Sequence, residues 1–237
     1  MLFWLIPLVL GILQLGAFLY FRVRERRVIA VIFKGLVSLM FIITALVALL
    51  TSKNPQSSFG LYVIIGLFFG LLGDVFLDLK FIILEKESLY TILGFISFGI
   101  GHIFYLTGLF TNYYSFDSSI LYLIIPIIIA LVFVTGSLLM EKFTPIRYKK
   151  MTPFVIGYGF ILFFTTSIYM STVIQNGWQS PPLIIVAFSL IVFAISDLIL
   201  NNTYFAPNCG TPLFIISNHV CYYIAQFAIA ISLFYLV

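Results

Sequence analysis

The sequence has little charge, and this excludes a water-soluble globular domain. Only 8% of its 237 residues are Asp, Glu, Lys or Arg, against about 25% in an ordinary soluble domain. Cysteine is scarce too, with two residues, which excludes a disulfide scaffold. The 9 prolines and 16 glycines are too few for a collagen-like or low-complexity chain.

The sequence is instead strongly apolar, since 62% of its residues are hydrophobic. They occur in long unbroken runs rather than the short alternating segments of an outer-membrane barrel, so we predict an all-α, polytopic membrane helix bundle.

The apolar runs predict eight transmembrane helices in a single transmembrane domain, residues 1–237, because each span needs about 20 apolar residues. The first run lacks the basic start and the A-x-A-like end of a cleavable signal peptide, so we interpret it as a span. The predicted spans are about 2–20, 29–50, 59–79, 89–110, 118–140, 152–172, 182–201 and 213–236.

Basic residues are distributed unevenly between the connecting loops, and in short loops they mark the cytoplasmic side. Loops two, four and six contain a single basic residue, Lys53. Loops one, three and five contain ten of the twelve basic residues: Arg22, Arg24, Arg26, Arg27, Lys80, Lys86, Lys142, Arg147, Lys149 and Lys150. We therefore predict an integral multi-pass protein with both termini on the non-cytoplasmic side. The net charge of +4 is attributed to this orientation and to attraction by anionic membrane lipids, not to nucleic-acid binding.

The two cysteines, Cys209 and Cys221, form no paired C-x-x-C motif. Such a pair gives no metal signature, and Cys209 falls in a loop while Cys221 falls in a span. We predict that both are packing thiols.

Ionisable side chains at membrane depth are functional candidates, because each costs about 2.5–3.5 kcal/mol on insertion scales. Five fall within the predicted spans, and a sixth, Asp78, ends the third span; the five are Lys34, Asp74, His102, Asp197 and His219. At 1.5 Å per residue, Lys34, Asp74, Asp197 and the start of the eighth span all fall within roughly 5–15 Å of the cytoplasmic boundary. This common depth predicts one site to which four helices contribute side chains.

Helical spacing places several of these residues on shared faces. Asp74 and Asp78 are four residues apart, as are Asp197 and Asn201, and residues at that spacing are neighbours on a helix. A polar stripe along the eighth span begins at Asn218 or His219 and continues through Tyr222 and Gln226. Small residues at helical spacing in spans three and four predict close packing of these two helices; they are Gly66, Gly70, Gly73, Gly94, Ser97 and Gly101.

Each candidate also has a purely structural interpretation. Lys34 is either a buried partner of Asp74 and Asp197 or a lysine that extends its amine to water at the membrane interface. His102 is also consistent with an interhelical hydrogen bond. Tyr222 and Gln226 are equally consistent with contacts that only hold helices together.

Four short motifs occur in order along the chain: GDVFL at 73–77, GFISFGIGHIFY at 94–105, FAISDL at 193–198 and YYIAQ at 222–226. They resemble the motifs of the YhhN-like lysoplasmalogenase family. Together with the eight spans they extend the resemblance over essentially the whole chain. One departure is Gly35 after Lys34, where the family usually has proline.

The resemblance implies an ether hydrolase that cleaves the vinyl ether bond of a lysophospholipid, the lysoplasmalogen. The products are a fatty aldehyde and glycerophosphoethanolamine or glycerophosphocholine. Protonation of the alkene and attack by water require one acid and one base, as in glycoside hydrolysis, and no cofactor or metal.

We predict Asp74 and Asp197 as the catalytic pair, with either one as the acid. The predicted binding or orienting residues are Lys34, Asp78, His102, Tyr105, Asn201, Tyr222 and Gln226, with Lys34 directed to the lipid phosphate.

Two other functions are consistent with the same residues. The first is a metal-dependent membrane lipid hydrolase, with Asp74, His102, Asp197 and His219 as an oxygen and nitrogen ligand set. The second is a proton-coupled small-solute transporter that uses Asp74, Asp197 and Lys34 as a relay. Transporters tend to have interrupted helices, and Pro126 predicts such an interruption in the fifth span.

Overall fold

The computed structural model describes residues 2–207 and 210–237, and within them the structure is helical, without a β-strand. The described residues form eight α-helices: α1 (Leu5–Val23), α2 (Arg27–Leu50), α3 (Ser58–Leu79), α4 (Glu87–Asn112), α5 (Leu121–Phe143), α6 (Thr152–Gln175), α7 (Pro181–Phe205) and α8 (Pro212–Ser232). Short 3₁₀ turns adjoin three of them, at Leu84–Lys86, Lys149–Met151 and Leu233–Tyr235. All eight helices are long and apolar enough to cross a membrane, which confirms the predicted class of fold. Of the two cysteines, Cys221 is a free thiol, and Cys209 lies outside the described residues.

The helix ends differ from the predicted span ends by up to four residues, because polar side chains extend several helices. α1 continues to Val23 and so includes Arg22 in its last turn. α7 ends at Phe205 rather than near residue 201. Its final turn stays helical because Asn202 and Thr203 bond to the carbonyl groups four residues earlier.

Pro126 does not interrupt the fifth span, so the predicted interruption is wrong. α5 runs through it from Leu121 to Phe143. A proline inside a helix has no N–H to donate to the carbonyl four residues earlier, here that of Tyr122. The Ser171 hydroxyl of α6 donates to this carbonyl at 2.7 Å, and such substitute donors are what allow proline in membrane helices.

The chain divides into two compact units: Met1–Gly108 with Ile229–Val237, and Leu109–Ala228. In the first unit α2 packs against both α1 and α3; in the second, α6 packs against both α5 and α7. The organisation as a single transmembrane domain stays a prediction.

Glycines allow α3 and α4 to approach each other closely, as their spacing predicts. A Cβ at Gly101 of α4 would lie only 2.9 Å from the backbone oxygen of Gly66 in α3, and a Cβ at Gly66 would overlap the ring of Tyr105. A Cβ at Gly73 would lie 2.6 Å from the ring of Phe98. This contact brings the backbone before Asp74 against α4.

Candidate functional site

The first unit contains a buried ion-pair cluster between α2 and α3. Asp74 and Asp78, four residues apart on α3, both face Lys34 of α2. The Lys34 Nζ lies 3.3 Å from Asp74 Oδ1 and 3.1 Å from Asp78 Oδ1. Lys34 is 4% exposed, Asp74 2% and Asp78 0%. The alternative in which Lys34 extends to water is therefore wrong, because two carboxylates hold its ammonium inside the protein.

Ser38 completes the environment of Asp74 and was not among the predicted residues. Its hydroxyl lies 2.6 Å from Asp74 Oδ2 and 2.9 Å from the Lys34 backbone oxygen, and its side chain is fully buried. A hydroxyl has one proton and can donate to only one acceptor at a time. The sequence does contain a signal for it, since Ser38 is one turn after Lys34 on the same face of α2.

Arg22 supplies the second positive charge of this cluster. From the last turn of α1, its guanidinium lies 3.6 Å from Asp78 Oδ2. Two cations, Lys34 and Arg22, thus face two carboxylates, and the cluster is electrically balanced with both carboxylates ionised. Balance is needed because an uncompensated buried charge costs several kcal/mol.

His102 and Tyr105, also in the first unit, lie one turn apart on α4. Their rings pack edge to face with centroids 5.8 Å apart, and they are 1% and 3% exposed. The Tyr105 ring occupies the space left by Gly66. Tyr105 is thus part of the packed α3–α4 contact, and the orienting role of both residues stays a prediction.

In the second unit, Asp197 of α7 accepts a short hydrogen bond at Oδ2 from the phenol hydroxyl of Tyr158 in α6. Both side chains are only partly buried. Asp197 is eight residues before the end of α7, rather than the five expected from the predicted span. Tyr158 was missed, because one tyrosine among 14 has no distinguishing signal in the sequence.

Asn201 anchors the loop between α5 and α6. Its amide donates to the Tyr148 hydroxyl at 3.0 Å, and that hydroxyl donates to the Ser137 carbonyl at 3.2 Å. The neighbouring Arg147 N–H bonds to the Phe205 carbonyl at 2.9 Å. Burial raises the pKa of the Tyr148 phenol, so this hydroxyl stays protonated and able to donate at neutral pH. These contacts give Asn201 a structural role.

Tyr222 and Gln226 form a hydrogen-bonded pair on α8. The Gln226 amide donates to the Tyr222 hydroxyl at 2.9 Å, and the Tyr222 ring packs edge to face on Phe193 at 5.4 Å. Gln226 is 1% exposed, yet its Oε1 has no hydrogen-bond partner within the described ranges. A buried acceptor of this kind normally bonds to water or to a ligand donor.

The start of α8 is held to α7 by a reciprocal set of bonds. The Asn218 amide donates to the Ser196 carbonyl at 2.8 Å and to its hydroxyl at 3.0 Å, while that hydroxyl lies 3.1 Å from the Asn218 carbonyl. His219 Nδ1 lies 2.8 Å from the carbonyl of Ile215, one turn earlier. Asn218 thus acts as a contact between helices.

The part of the chain that the structure describes contains no group of three or more His, Cys, Asp or Glu side chains able to hold a metal ion. The metal-dependent alternative therefore stays an interpretation of the sequence, without an observed ligand set. The joint action of Asp74 and Asp197 on one substrate also stays a prediction.

Comparison with known proteins is consistent with the motifs and the fold. The YhhN family model matches residues 29–233, which is most of the chain. Neither the curated proteins nor the solved structures contain a match. The YhhN family includes lysoplasmalogenases and is associated with hydrolase activity. An eight-helix chain matched over this length belongs to the YhhN family.

Proposed function

We propose that this protein is a membrane-embedded lysoplasmalogenase, which hydrolyses the vinyl ether bond of a lysoplasmalogen. The products would be a fatty aldehyde and glycerophosphoethanolamine or glycerophosphocholine. The main support is the buried, charge-balanced environment of Asp74, formed by Lys34 and Ser38, in a chain whose family includes lysoplasmalogenases. An ionisable group held inside a membrane helix bundle is a candidate for chemistry by default.

The chemistry begins at the alkene, because water does not attack an unactivated vinyl ether. A proton is added to the alkene carbon beta to the ether oxygen, which gives an oxocarbenium ion. Water adds to the carbon next to oxygen and loses a proton to a base. The resulting hemiacetal breaks its bond to the glycerol oxygen, which takes up a proton, and the aldehyde leaves. The net reaction consumes one water molecule, so an acid and a base suffice.

Asp74 is suited to act as the ionised carboxylate. The Lys34 ammonium at 3.3 Å and the Ser38 hydroxyl at 2.6 Å both stabilise a negative charge on it. An anion fixed in place stabilises a developing oxocarbenium ion without reorganising during the reaction, and it can take the proton of the attacking water. Lys34 and Asp78 then provide electrostatic support, which replaces the predicted contact of Lys34 with the lipid phosphate.

Asp197 is suited to act as the acid. The hydrogen bond observed at its carboxyl group comes from a neutral phenol, that of Tyr158, whereas Asp74 has an ammonium beside it. In this proposal Asp197 carries the transferable proton, and the Tyr158 hydroxyl orients its carboxyl group. Tyr158 is therefore a positioning residue in this proposal.

Among the predicted orienting residues, Gln226 is the best suited to bind a water molecule or the substrate. Its buried Oε1 has no partner in the described part of the chain and is available to accept a hydrogen bond from a water molecule or a lipid hydroxyl. Tyr222 fixes the amide through the bond from Nε2. His102 and Tyr105 remain candidates for shaping the site.

The test measures aldehyde release from lysoplasmenylethanolamine by the purified protein in lipid nanodiscs. We expect Asp74→Asn and Asp197→Asn each to lower kcat by about 10²–10⁴-fold, the usual contribution of a general acid or base. Asp117→Asn is the matched control, because Asp117 is exposed in a loop. A saturated alkyl ether analogue has no alkene to protonate and should not be cleaved. Full activity in both Asp74→Asn and Asp197→Asn contradicts the assignment.

In this proposal the two aspartates catalyse the same reaction together. A comparison of kcat for the single and double variants tests this without any distance between the two carboxyl groups. Residues that work as a unit give non-additive losses. We expect the double variant Asp74→Asn/Asp197→Asn to be no slower than the slower single variant. Losses that multiply in the double variant would contradict joint action.

We also propose that both termini are on the non-cytoplasmic side, as the distribution of basic residues predicts. Labelling of a cysteine introduced at exposed Lys53 with a membrane-impermeant reagent in intact cells tests this. Labelling at Lys53→Cys and protection at Lys86→Cys is the expected result, and the reverse pattern contradicts it.

A further inference from the structure

Three cations surround Phe81, just after the end of α3. The Arg22 guanidinium lies 3.7 Å from the centre of the Phe81 ring, and the Lys80 ammonium lies 5.0 Å from it. Arg27, the first residue of α2, donates from its guanidinium to the Phe81 carbonyl at 3.3 Å. We call Arg22, Arg27, Lys80 and Phe81 the Phe81 cluster. The three cations come from the ends of three helices of the first unit.

Lys80 is the unusual member of the Phe81 cluster because it is almost completely buried. It is 5% exposed, whereas lysines are normally exposed. Burial lowers its pKa to about 7; among the surrounding charges, Glu87 and Asp78 raise the pKa, while Arg22 and Lys34 lower it. Protonated Lys80 thus adds a positive charge in a region where other cations already repel it.

The charges of the buried region do not balance when Lys80 is protonated. The buried or nearly buried cations are Arg22, Lys34 and Lys80, and the buried carboxylates are Asp74 and Asp78. One positive charge is in excess. Arg27 and Glu87 are exposed and add one charge of each sign. An anion bound at the Phe81 cluster would compensate the excess charge.

We propose that the Phe81 cluster binds the phosphate ester of the lysolipid headgroup; naming the lysolipid rests on the function proposed above. Arg and Lys are the usual ligands of phosphate groups, Arg through its paired N–H donors and Lys as a point charge. Lys34, which sequence reasoning directed to the phosphate, is already bound by two carboxylates. Lys80 takes this role together with Arg22, whose guanidinium also lies 3.6 Å from Asp78 Oδ2.

The distance along α3 fits one lipid reaching both groups. Lys80 follows Asp74 by six residues, which corresponds to about 9 Å along a helix. In a lysoplasmalogen, six bonds separate the phosphorus from the carbon that becomes the oxocarbenium centre. An extended chain advances about 3.3–3.6 Å per three bonds, so these six bonds span about 7 Å. The rise along α3 between the two residues is thus similar to the length of this part of the lipid.

The first experiment compares two substrates that differ only in the phosphate: lysoplasmenylethanolamine and 1-O-alkenylglycerol. In Lys80→Met we expect KM for the phospholipid to rise about tenfold, while KM for alkenylglycerol stays unchanged. Methionine keeps the apolar volume of the lysine stem, so the fold should be retained, and Lys80→Arg should restore most of the affinity. Lys86→Met is the matched control, because Lys86 is a nearby exposed lysine. An equal change in KM for both substrates would overturn the proposal.

The second experiment measures binding without catalysis, so that failure of the proposed hydrolysis does not affect it. The probe is 1-O-alkyl-glycerophosphoethanolamine, which has the phosphate but no vinyl ether, and the readout is its Kd for wild-type protein and Lys80→Met in detergent. We expect about tenfold weaker binding by Lys80→Met, and no difference between the two proteins for 1-O-alkylglycerol. Equal affinity of both proteins for the phosphate probe overturns the proposal. Inorganic phosphate that alone gives the whole lysine-dependent effect would make free phosphate the ligand and overturn the lipid assignment.

Discussion

The two units stabilise their carboxyl groups in different ways. In the first unit, Asp74 is 2% exposed and contacts an ammonium and a serine hydroxyl. In the second, Asp197 is partly exposed and accepts a hydrogen bond from a tyrosine hydroxyl. A carboxylate balanced by a cation is stabilised as an anion, whereas a neutral phenol bonds to a carboxyl group in either protonation state. In the proposed mechanism the roles are accordingly unequal, with Asp74 as the fixed anion and Asp197 as the proton donor.

The largest effect is expected from breaking the charge balance of the first unit. Lys34→Met removes the ammonium group that contacts both buried carboxylates, and removing one partner of a buried ion pair typically costs about 3–5 kcal/mol. We expect a loss of this size in the free energy of unfolding, measured by denaturant titration in mixed micelles. The double variant Lys34→Met/Asp78→Asn should recover part of it. A Lys34→Met protein as stable as the wild type would show that the ion pairs contribute nothing.

A smaller effect on the free energy of unfolding is expected when Asp74 loses the hydrogen bond from the Ser38 hydroxyl. Ser38→Ala removes the hydroxyl 2.6 Å from Asp74 Oδ2, and a hydrogen bond to a charged group contributes about 1.5–3 kcal/mol. The free energy of unfolding should fall by about this amount, and kcat should fall as well. Ser137→Ala is a control, because Ser137 is partly exposed and its hydroxyl bonds to the Phe133 carbonyl of its own helix, α5. An unchanged stability in Ser38→Ala would mean that the Ser38 proton goes to the Lys34 carbonyl.

The corresponding change in the second unit is Tyr158→Phe, which removes the phenol donor to Asp197. We expect a stability loss of about 1 kcal/mol, as for a typical hydrogen bond, a roughly tenfold lower kcat and a changed pH profile of kcat. Tyr148→Phe also removes a bonded phenol, but one that holds a loop. It should lower stability by a similar amount without changing the pH profile. An unchanged pH profile in Tyr158→Phe would assign Tyr158 a structural role only.

The smallest effect is a pH dependence of stability due to Lys80. Its pKa falls from 10.5 in the unfolded chain to about 7 in the folded protein, mainly through burial. Between these values the unfolded chain binds more protons, so the free energy of unfolding rises with pH, by about 1 kcal/mol from pH 7 to pH 8. The comparison of wild type with Lys80→Met, in detergent without phospholipid, isolates this contribution. A pH slope that is the same in both proteins would contradict it.

Hydropathy alone predicted the eight helices, because a span must be continuously apolar and each apolar run is separated from the next by polar residues. The ends were less predictable. α7 continues through Asn202 and Thr203, whose side chains bond to its own carbonyl groups. Pro126 was expected to interrupt α5, but a serine on the neighbouring helix compensates for the missing donor, and sequence reasoning does not reveal such a contact between helices.

The candidate site was predictable where charge or spacing marked it. Asp74, Asp78 and Lys34 stood out because charged residues are rare in membrane helices, and the spacing of the aspartates placed them on one face. Ser38 was missed although it lies one turn after Lys34, and Tyr158 was missed because only its contact with Asp197 distinguishes it from the other tyrosines. Arg22 was assigned to a loop, since the sequence does not show that its side chain turns back toward Asp78.

The most direct test of acid-catalysed vinyl ether cleavage is hydrolysis of lysoplasmenylethanolamine in D₂O, with the aldehyde trapped at once as a hydrazone and analysed by mass spectrometry. Protonation of the alkene carbon by an exchangeable carboxyl group predicts one deuterium on the carbon next to the aldehyde group, at a rate that falls in both Asp74→Asn and Asp197→Asn. Release of aldehyde without deuterium at that carbon, or no release of aldehyde by the wild-type protein, would contradict the account.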